Sequence, residues 1–254
     1  MTHKCRRCGR DFRTSTDLQR HRVKEHRASR GTSRKLPWIV GALVLLTGAV
    51  GAVAILNAPS ASTSAFELED EPRIGRDDAP VTLVMFEDPS CPYCRKFHHS
   101  EAGPSTFQQL VDTYAADGTL RIYYKEFLAA KPWGQAGAIA QECAYTFGND
   151  AFWNVTAKFY RDAPDLDTGN VRAFAMRYAR EEGIETGPFE ACLADDAALI
   201  EVRNDMRAGE KLGVGGTPAY FVVASDGTSE LIVGPQPFDT FAQAIERAKA
   251  KVSL

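Results

Sequence analysis

The chain has 254 residues, 44% hydrophobic and 25% charged, which excludes both a disordered polymer and a collagen-like repeat. Six cysteines over that length are too few for a disulfide-stapled miniature scaffold. The net charge of −3 conceals three regimes: residues 1–35 carry 12 basic and 3 acidic side chains, residues 36–56 carry neither, and residues 57–254 carry 18 basic and 30 acidic ones.

In chain order the first motif is Cys5-Arg-Arg-Cys8, followed by His21 and His26. Two thiolates from a hairpin and two imidazoles about one helical turn apart can close a tetrahedron around Zn2+. Phe12 and Leu18 stand where so small a unit needs its apolar pair. Residues 3–26 therefore resemble a two-Cys, two-His zinc finger, with Cys5, Cys8, His21 and His26 as implied ligands and a ββα fold over residues 1–30. The aromatic usually found two residues before the first cysteine is His3 here. In such a unit the metal supplies much of the folding energy, so the zinc is structural. Thr14, Asp17 and Arg20 would occupy the base-reading positions of the finger helix. A single finger about a dozen residues from a membrane favours a structural or protein-contact role over nucleic-acid binding.

Trp38 to Leu56 (WIVGALVLLTGAVGAVAIL) runs without a charge, flanked by Pro37 and by Asn57-Ala58-Pro59. At about 1.5 Å per residue such a helix nearly spans a hydrocarbon core of about 30 Å. Arg27, Arg30, Arg34 and Lys35 precede it and Glu67, Glu69, Asp70 and Glu71 follow. The positive-inside rule then predicts a transmembrane signal anchor over 37–57, the N-terminus cytoplasmic and the acidic body outside. A cleaved signal peptide is the competing reading. Residues 58–70 read as a polar linker.

The body, 71–254, opens with the β-rich run Val81–Phe86, then Glu87-Asp88-Pro89-Ser90 and Cys91-Pro92-Tyr93-Cys94. A CxxC at the start of a helix places the first thiol against unpaired backbone N–H groups that favour its thiolate. That thiolate is the nucleophile of disulfide exchange, and the second thiol, one turn on, resolves the mixed disulfide. Leu120–Phe127 predicts a second strand, about 134–211 a helical stretch, and Val214-Gly-Gly-Thr217-Pro218 a turn into the strand AYFVV. Leu231–Gly234 then predicts a further strand, followed by a last helix from about Pro237 to Val252.

The CPYC after an apolar strand and the Gly-Thr-Pro before one lie at opposite ends of this body. On those motifs the body resembles the DsbA-like branch of the thioredoxin superfamily, over roughly residues 68–254. The resemblance implies an α/β thioredoxin-like fold with a helical insertion, Cys91 and Cys94 as the catalytic pair, and a cis bond before Pro218. It further implies that Thr217, Pro218, Pro92 and Tyr93 meet an extended substrate peptide, and that Cys143 and Cys192 form a structural disulfide. Cysteine-containing exported proteins would be the substrates and a membrane redox protein the partner that resets the CPYC. No organic cofactor is implied, because the electrons reside in the cysteine pair.

Many thioredoxin-like proteins bury an acid six residues before the first active cysteine, and that position here is Met85. Glu87 and Asp88 either substitute for that proton-relaying acid or are solvated, the second being the expectation, and His98 and His99 are expected to line a helix surface rather than to shuttle protons. Asn154-Val-Thr156 is a glycosylation sequon placed inside a predicted helix. A four-cysteine metal site shared by the two CxxC motifs is rejected, since the apolar span separates them. The acid excess of the body suits high salt, and the combination looks haloarchaeal. The reading is a membrane-anchored thiol–disulfide oxidoreductase. Its direction stays open, because the Pro-Tyr dipeptide resembles glutaredoxin's rather than the Pro-His of strong oxidants. The alternatives are a reductase of the same fold and a non-catalytic zinc-finger scaffold.

Overall fold

The computed structural model describes residues 63–251, together with the backbone of 3–4 and 11–12. The implied zinc ligands Cys5, Cys8, His21 and His26 and the apolar span 38–56 lie outside the described residues. Strands β1 (His3–Lys4) and β2 (Asp11–Phe12) pair antiparallel, His3 with Phe12. Among the described residues no helix is long and apolar enough to cross a membrane.

The body is built on a five-stranded sheet in the order β3 (Arg73–Ile74), β5 (Leu120–Glu126), β4 (Val81–Glu87), β6 (Ala219–Ala224), β7 (Ser229–Val233). β4 and β5 run parallel, and the other pairs are antiparallel. All seven residues of β4 are buried, as a central strand covered on both faces requires. Helices α1 (Pro92–His98), α2 (Thr106–Leu110) and α8 (Phe238–Ala250) cover one face. There Phe97, Leu110, Phe241 and Ile245 pack on Leu83, Met85 and Tyr220.

Between β5 and β6 lie α3 (Gly134–Tyr145), α4 (Asn149–Asp162), α5 (Val171–Glu181), α6 (Thr186–Leu193) and α7 (Asp196–Lys211). This insertion has its own core, around Phe159, Tyr178, Phe189 and the Cys143–Cys192 disulfide that joins α3 to α6. Closing a loop of 49 residues is worth about 4 kcal/mol in the chain-entropy account. α7 returns across the second face of the sheet. It approaches closely because a Cβ at Gly209 would fall 2.7 Å from the Phe127 ring.

One expectation changes. Residues 63–70 are not a free linker: Thr63–Phe66 forms a 3-10 turn, and Phe66 is fully buried against Phe221 at a ring separation of 5.1 Å. One large side chain on an otherwise polar run is enough to dock it, since burying a Phe is worth about 2 kcal/mol. The sequon lies within a helix as expected: Asn154 is in α4 and Thr156 is 1% exposed.

Candidate active site

Cys91 is the N-cap of α1 and Pro92 occupies its first turn, where a missing N–H costs nothing. The turn into the helix is held by Asp88, a buried side chain that accepts four hydrogen bonds. These come from Ser90 N at 2.7 Å, Ser90 Oγ at 2.6 Å, and the backbone N–H groups of Ala129 and Ala130 at 2.9 Å each. Ser90 Oγ in turn accepts from Lys131 N at 2.9 Å, and Cys91 N donates to the Asp88 carbonyl at 3.0 Å. The helix and the loop after β5 are thus tied to one carboxylate. Gly134 leaves room for it, because a Cβ there would fall 2.6 Å from Asp88 Oδ1.

Thr217 comes from the far end of the body, 126 residues away, and its carbonyl accepts from Cys91 Sγ at 3.4 Å. The Thr217–Pro218 bond is cis. Pro92 and Tyr93 face solvent beside it, Tyr93 with 56% exposure. Cys91, Cys94, Thr217, Pro218, Pro92 and Tyr93 are therefore gathered at one place. Cys143 and Cys192 lie apart from it, in the core of the insertion.

Cys91 and Cys94 are both free thiols in this structure, and their environments differ. The Cys91 thiol is pulled down from 9.0 to about 6. Its hydrogen bond with Cys94 is the main cause, aided by the Thr217 side chain and the Tyr93 and Cys94 backbone N–H groups and opposed by burial. The Cys94 thiol is pushed well above its ordinary value, first by burial, then by its bond to Cys91 and by the charge of Glu87. Asymmetry of this kind makes one sulfur a thiolate at neutral pH and keeps the other protonated.

Glu87 corrects the sequence reading. It is fully buried, as is Asp88, because side chains two apart on a strand share a face and Glu87 follows Leu83 and Met85 into the core. Its Oε2 lies 2.5 Å from His98 Nε2 and accepts from Tyr160 OH at 3.1 Å, and its Oε1 accepts from Tyr220 OH at 3.1 Å. His98 does not line the surface either: its side chain is 4% exposed and its ring stacks on Tyr160 with centroids 4.4 Å apart. Tyr160 also meets Tyr124 OH at 2.9 Å. Tyr124, Tyr160 and Tyr220 were missed, since isolated tyrosines in apolar runs read as core. Period-two alternation along β4 was the one signal that pointed to Glu87.

A second buried polar group adjoins the site. Lys125 Nζ donates to Glu71 at 2.8 Å and lies 2.7 Å from Asp205, while Glu126 N donates to Asp205 at 3.0 Å. No group donates to either carboxylate oxygen of Glu126, and burial, with Glu142 and Asp205 nearby, pushes its pKa up. Among the described residues no cluster of three or more His, Cys, Asp or Glu side chains is arranged to hold a metal ion.

The "Probable disulfide bond formation protein D" of Bacillus anthracis is 24% identical over 213 residues, spanning 83% of this chain and 93% of that protein. Among solved structures, alpha-DsbA1 of Wolbachia pipientis superposes with a TM-score of 0.63 at 19% identity, over 72% of this chain and 93% of that one. Oxidised BdbD from Bacillus subtilis gives 0.62 at 22% identity, over 71% and 94%. These relatives are bacterial, so the haloarchaeal reading has composition alone behind it. Residues 67–247 match the family model described as Thioredoxin, and the chain belongs to that family.

Proposed function

We propose that this protein forms or exchanges disulfides in exported proteins through Cys91 and Cys94, from a membrane anchor. The chain is a thiol–disulfide oxidoreductase. One observation carries the assignment of the pair: an N-cap thiol held at about 6 beside a buried thiol held high, both against the Thr217–Pro218 turn. Cys91 attacks or is attacked, and Cys94 resolves. The Thr217 backbone pairs with an extended substrate segment, while Pro92 and Tyr93 border it.

The anchor is residues 37–57, with the N-terminus cytoplasmic and the redox domain outside. A membrane redox protein resets the pair. The N-terminal residues Cys5, Cys8, His21 and His26 would hold Zn2+ as a structural ion. Two thiolates and two imidazoles suit that metal. The antiparallel pairing of 3–4 with 11–12 supports a hairpin there. Its role is structural or protein contact rather than nucleic-acid binding.

Trapping tests the assignment. A Cys94→Ala variant should retain exported cysteine proteins as mixed disulfides on Cys91, separable only under reduction, and Cys91→Ala should retain none. A reduction potential near thioredoxin's value of about −270 mV would assign the pair to a reductase instead. Retention that persists in Cys91→Ala would refute the assignment.

A further inference from the structure

The redox body is acidic, yet its carboxylates stop short of the cysteine pair. Four segments surround Cys91. Residues 89–100 carry the CPYC and α1, and residues 127–134 form the loop whose Lys131 N donates to Ser90 Oγ at 2.9 Å. Residues 214–224 bring the Thr217 carbonyl to Cys91 Sγ. Residues 231–238 join them where Val233 pairs with Ala219 and Gly234 N donates to the Pro218 carbonyl at 2.9 Å. Residues 57–254 contain 30 acidic side chains, and none falls in these four segments, which carry Arg95, Lys96 and Lys131. Asp88 and Glu126, which border them, are fully buried.

The three cations are not consumed by partners. Lys96 is exposed, and its Nζ lies 5.6 Å from the centroid of the Tyr93 ring, back toward the N-terminal end of α1 where the pair opens to solvent. Lys131 is exposed too, and its backbone is bonded to the residue before Cys91. Among the described residues no carboxylate pairs with either lysine. Arg95 follows Cys94 and is partly buried. Its Nε has no acceptor, and its guanidinium reaches only Glu101, at 4.0 Å.

We infer that this basic rim selects substrate segments that carry Asp or Glu beside the reacting cysteine. The inference rests on Cys91 and Cys94 as the exchanging pair and names the substrates that pair takes best. An extended segment held by the Thr217 backbone places residues two away from its cysteine about 7 Å along the strand. Carboxylates there come within reach of Lys96 beside Tyr93 and of Lys131 beside Ser90. The negative charge of the rest of the body is screened beyond about 8 Å at physiological salt, so the rim governs the last approach. An anionic lipid headgroup would meet the same charges, but the rim encircles the exchanging sulfur, where a substrate segment sits.

Peptide competition tests this. Full-length Cys94→Ala protein in detergent micelles is mixed with peptides whose single cysteine is joined by a disulfide to 5-thio-2-nitrobenzoate. The cysteine is flanked on each side by two Asp, two Ser or two Lys residues. The Cys91 thiolate attacks the peptide sulfur, the new disulfide forms, and thionitrobenzoate leaves with the electron pair. Mapping the adduct to residue 91 by mass spectrometry excludes the N-terminal cysteines. Dividing each rate by that of N-acetylcysteine amide with the same peptide removes the peptide's own reactivity.

At low salt the Asp peptide should react about tenfold faster than the Lys peptide, with the Ser peptide between them. Each exposed attraction or repulsion is worth roughly threefold. The gap should close in about 1 M NaCl, where the Debye length is about 3 Å. Lys96→Glu should narrow it, and Lys96→Glu/Lys131→Glu should reverse it. A change in Cys91 itself cancels, because each ratio compares peptides on one protein.

Equal corrected rates for the three peptides, or a preference that persists unchanged in the doubly substituted protein, overturn the inference. Equal rates that fall together when phosphatidylglycerol is added to the micelles assign the rim to a lipid headgroup instead. If no peptide forms an adduct on Cys91, the exchanging pair itself is refuted.

Discussion

The hydrogen bond between the two thiols is the largest cause of the low Cys91 pKa, so removing its donor should change the nucleophile more than any distant substitution. The fall from 9.0 to about 6 corresponds to about 4 kcal/mol between the two protonation states. A hydrogen bond to a charged group is worth roughly 1.5–3 kcal/mol, or roughly one to two pH units. Cys94→Ala should therefore raise the Cys91 midpoint from about 6 to roughly 7–8, while Cys94→Ser, which keeps an O–H donor, should leave it near 6.

Alkylation rate at a single pH is a poor readout. Raising the pKa by two units cuts the thiolate fraction at pH 7 from about nine-tenths to about one-tenth, but nucleophilicity rises nearly tenfold and cancels most of the loss. The assay is the pH profile, by thiolate absorbance at 240 nm and by iodoacetamide labelling of Cys91. Stability provides a second check. A folded pKa below the unfolded one contributes stability that is fully present above about 9 and disappears as pH falls through about 6. Reduced parent protein should lose this contribution between those values, and Cys94→Ala should have less of it to lose. A Cys94→Ala midpoint within about half a unit of the parent's would refute the assignment of cause.

Glu126 is buried without a donor, and its pKa is raised by burial, so unfolding at neutral pH releases a proton. Glu126→Gln should stabilise the protein at pH 7. The gain should be absent below about pH 4.5 and grow by about 1.4 kcal/mol per pH unit above it until the folded pKa is reached, measured by urea unfolding across pH. A gain independent of pH would refute this account. At Gly134 a methyl group would press on Asp88 and Ser90, so Gly134→Ala should cost about 1–3 kcal/mol and slow thiol exchange at Cys91. Unchanged urea midpoints would show that the loop yields without strain.

The redox pair, its helix and the distant Thr-Pro were legible because each is local. Four residues specify the CPYC, an apolar run specifies the strand before it, and a proline before AYFVV marks the turn. The burial of Glu87 was not legible, since Glu87 follows an apolar strand and precedes Asp-Pro-Ser, where an acid reads as the polar edge of a turn. What buries it are hydroxyls 73 and 133 residues away, on α4 and β6. Lys125 and Glu126 lie inside the predicted strand Leu120–Phe127, and it is Glu71 together with α7, arriving with Asp205, that closes over them. The helical insertion was visible as periodicity, but its covering role was not, because periodicity shows that a face is apolar without saying what it meets.

The 126 residues between Cys91 and Thr217 also set an order of events for the emerging chain. β4, β5 and the CPYC are made first, while β6, which brings Thr217 and Tyr220, pairs with β4 only after five further helices have been synthesised. Until that strand docks, Cys91 lacks its Thr217 contact and Glu87 lacks one of its two tyrosines. The Cys91 site is thus completed only when β6 docks, after Cys143 and Cys192 have both been made.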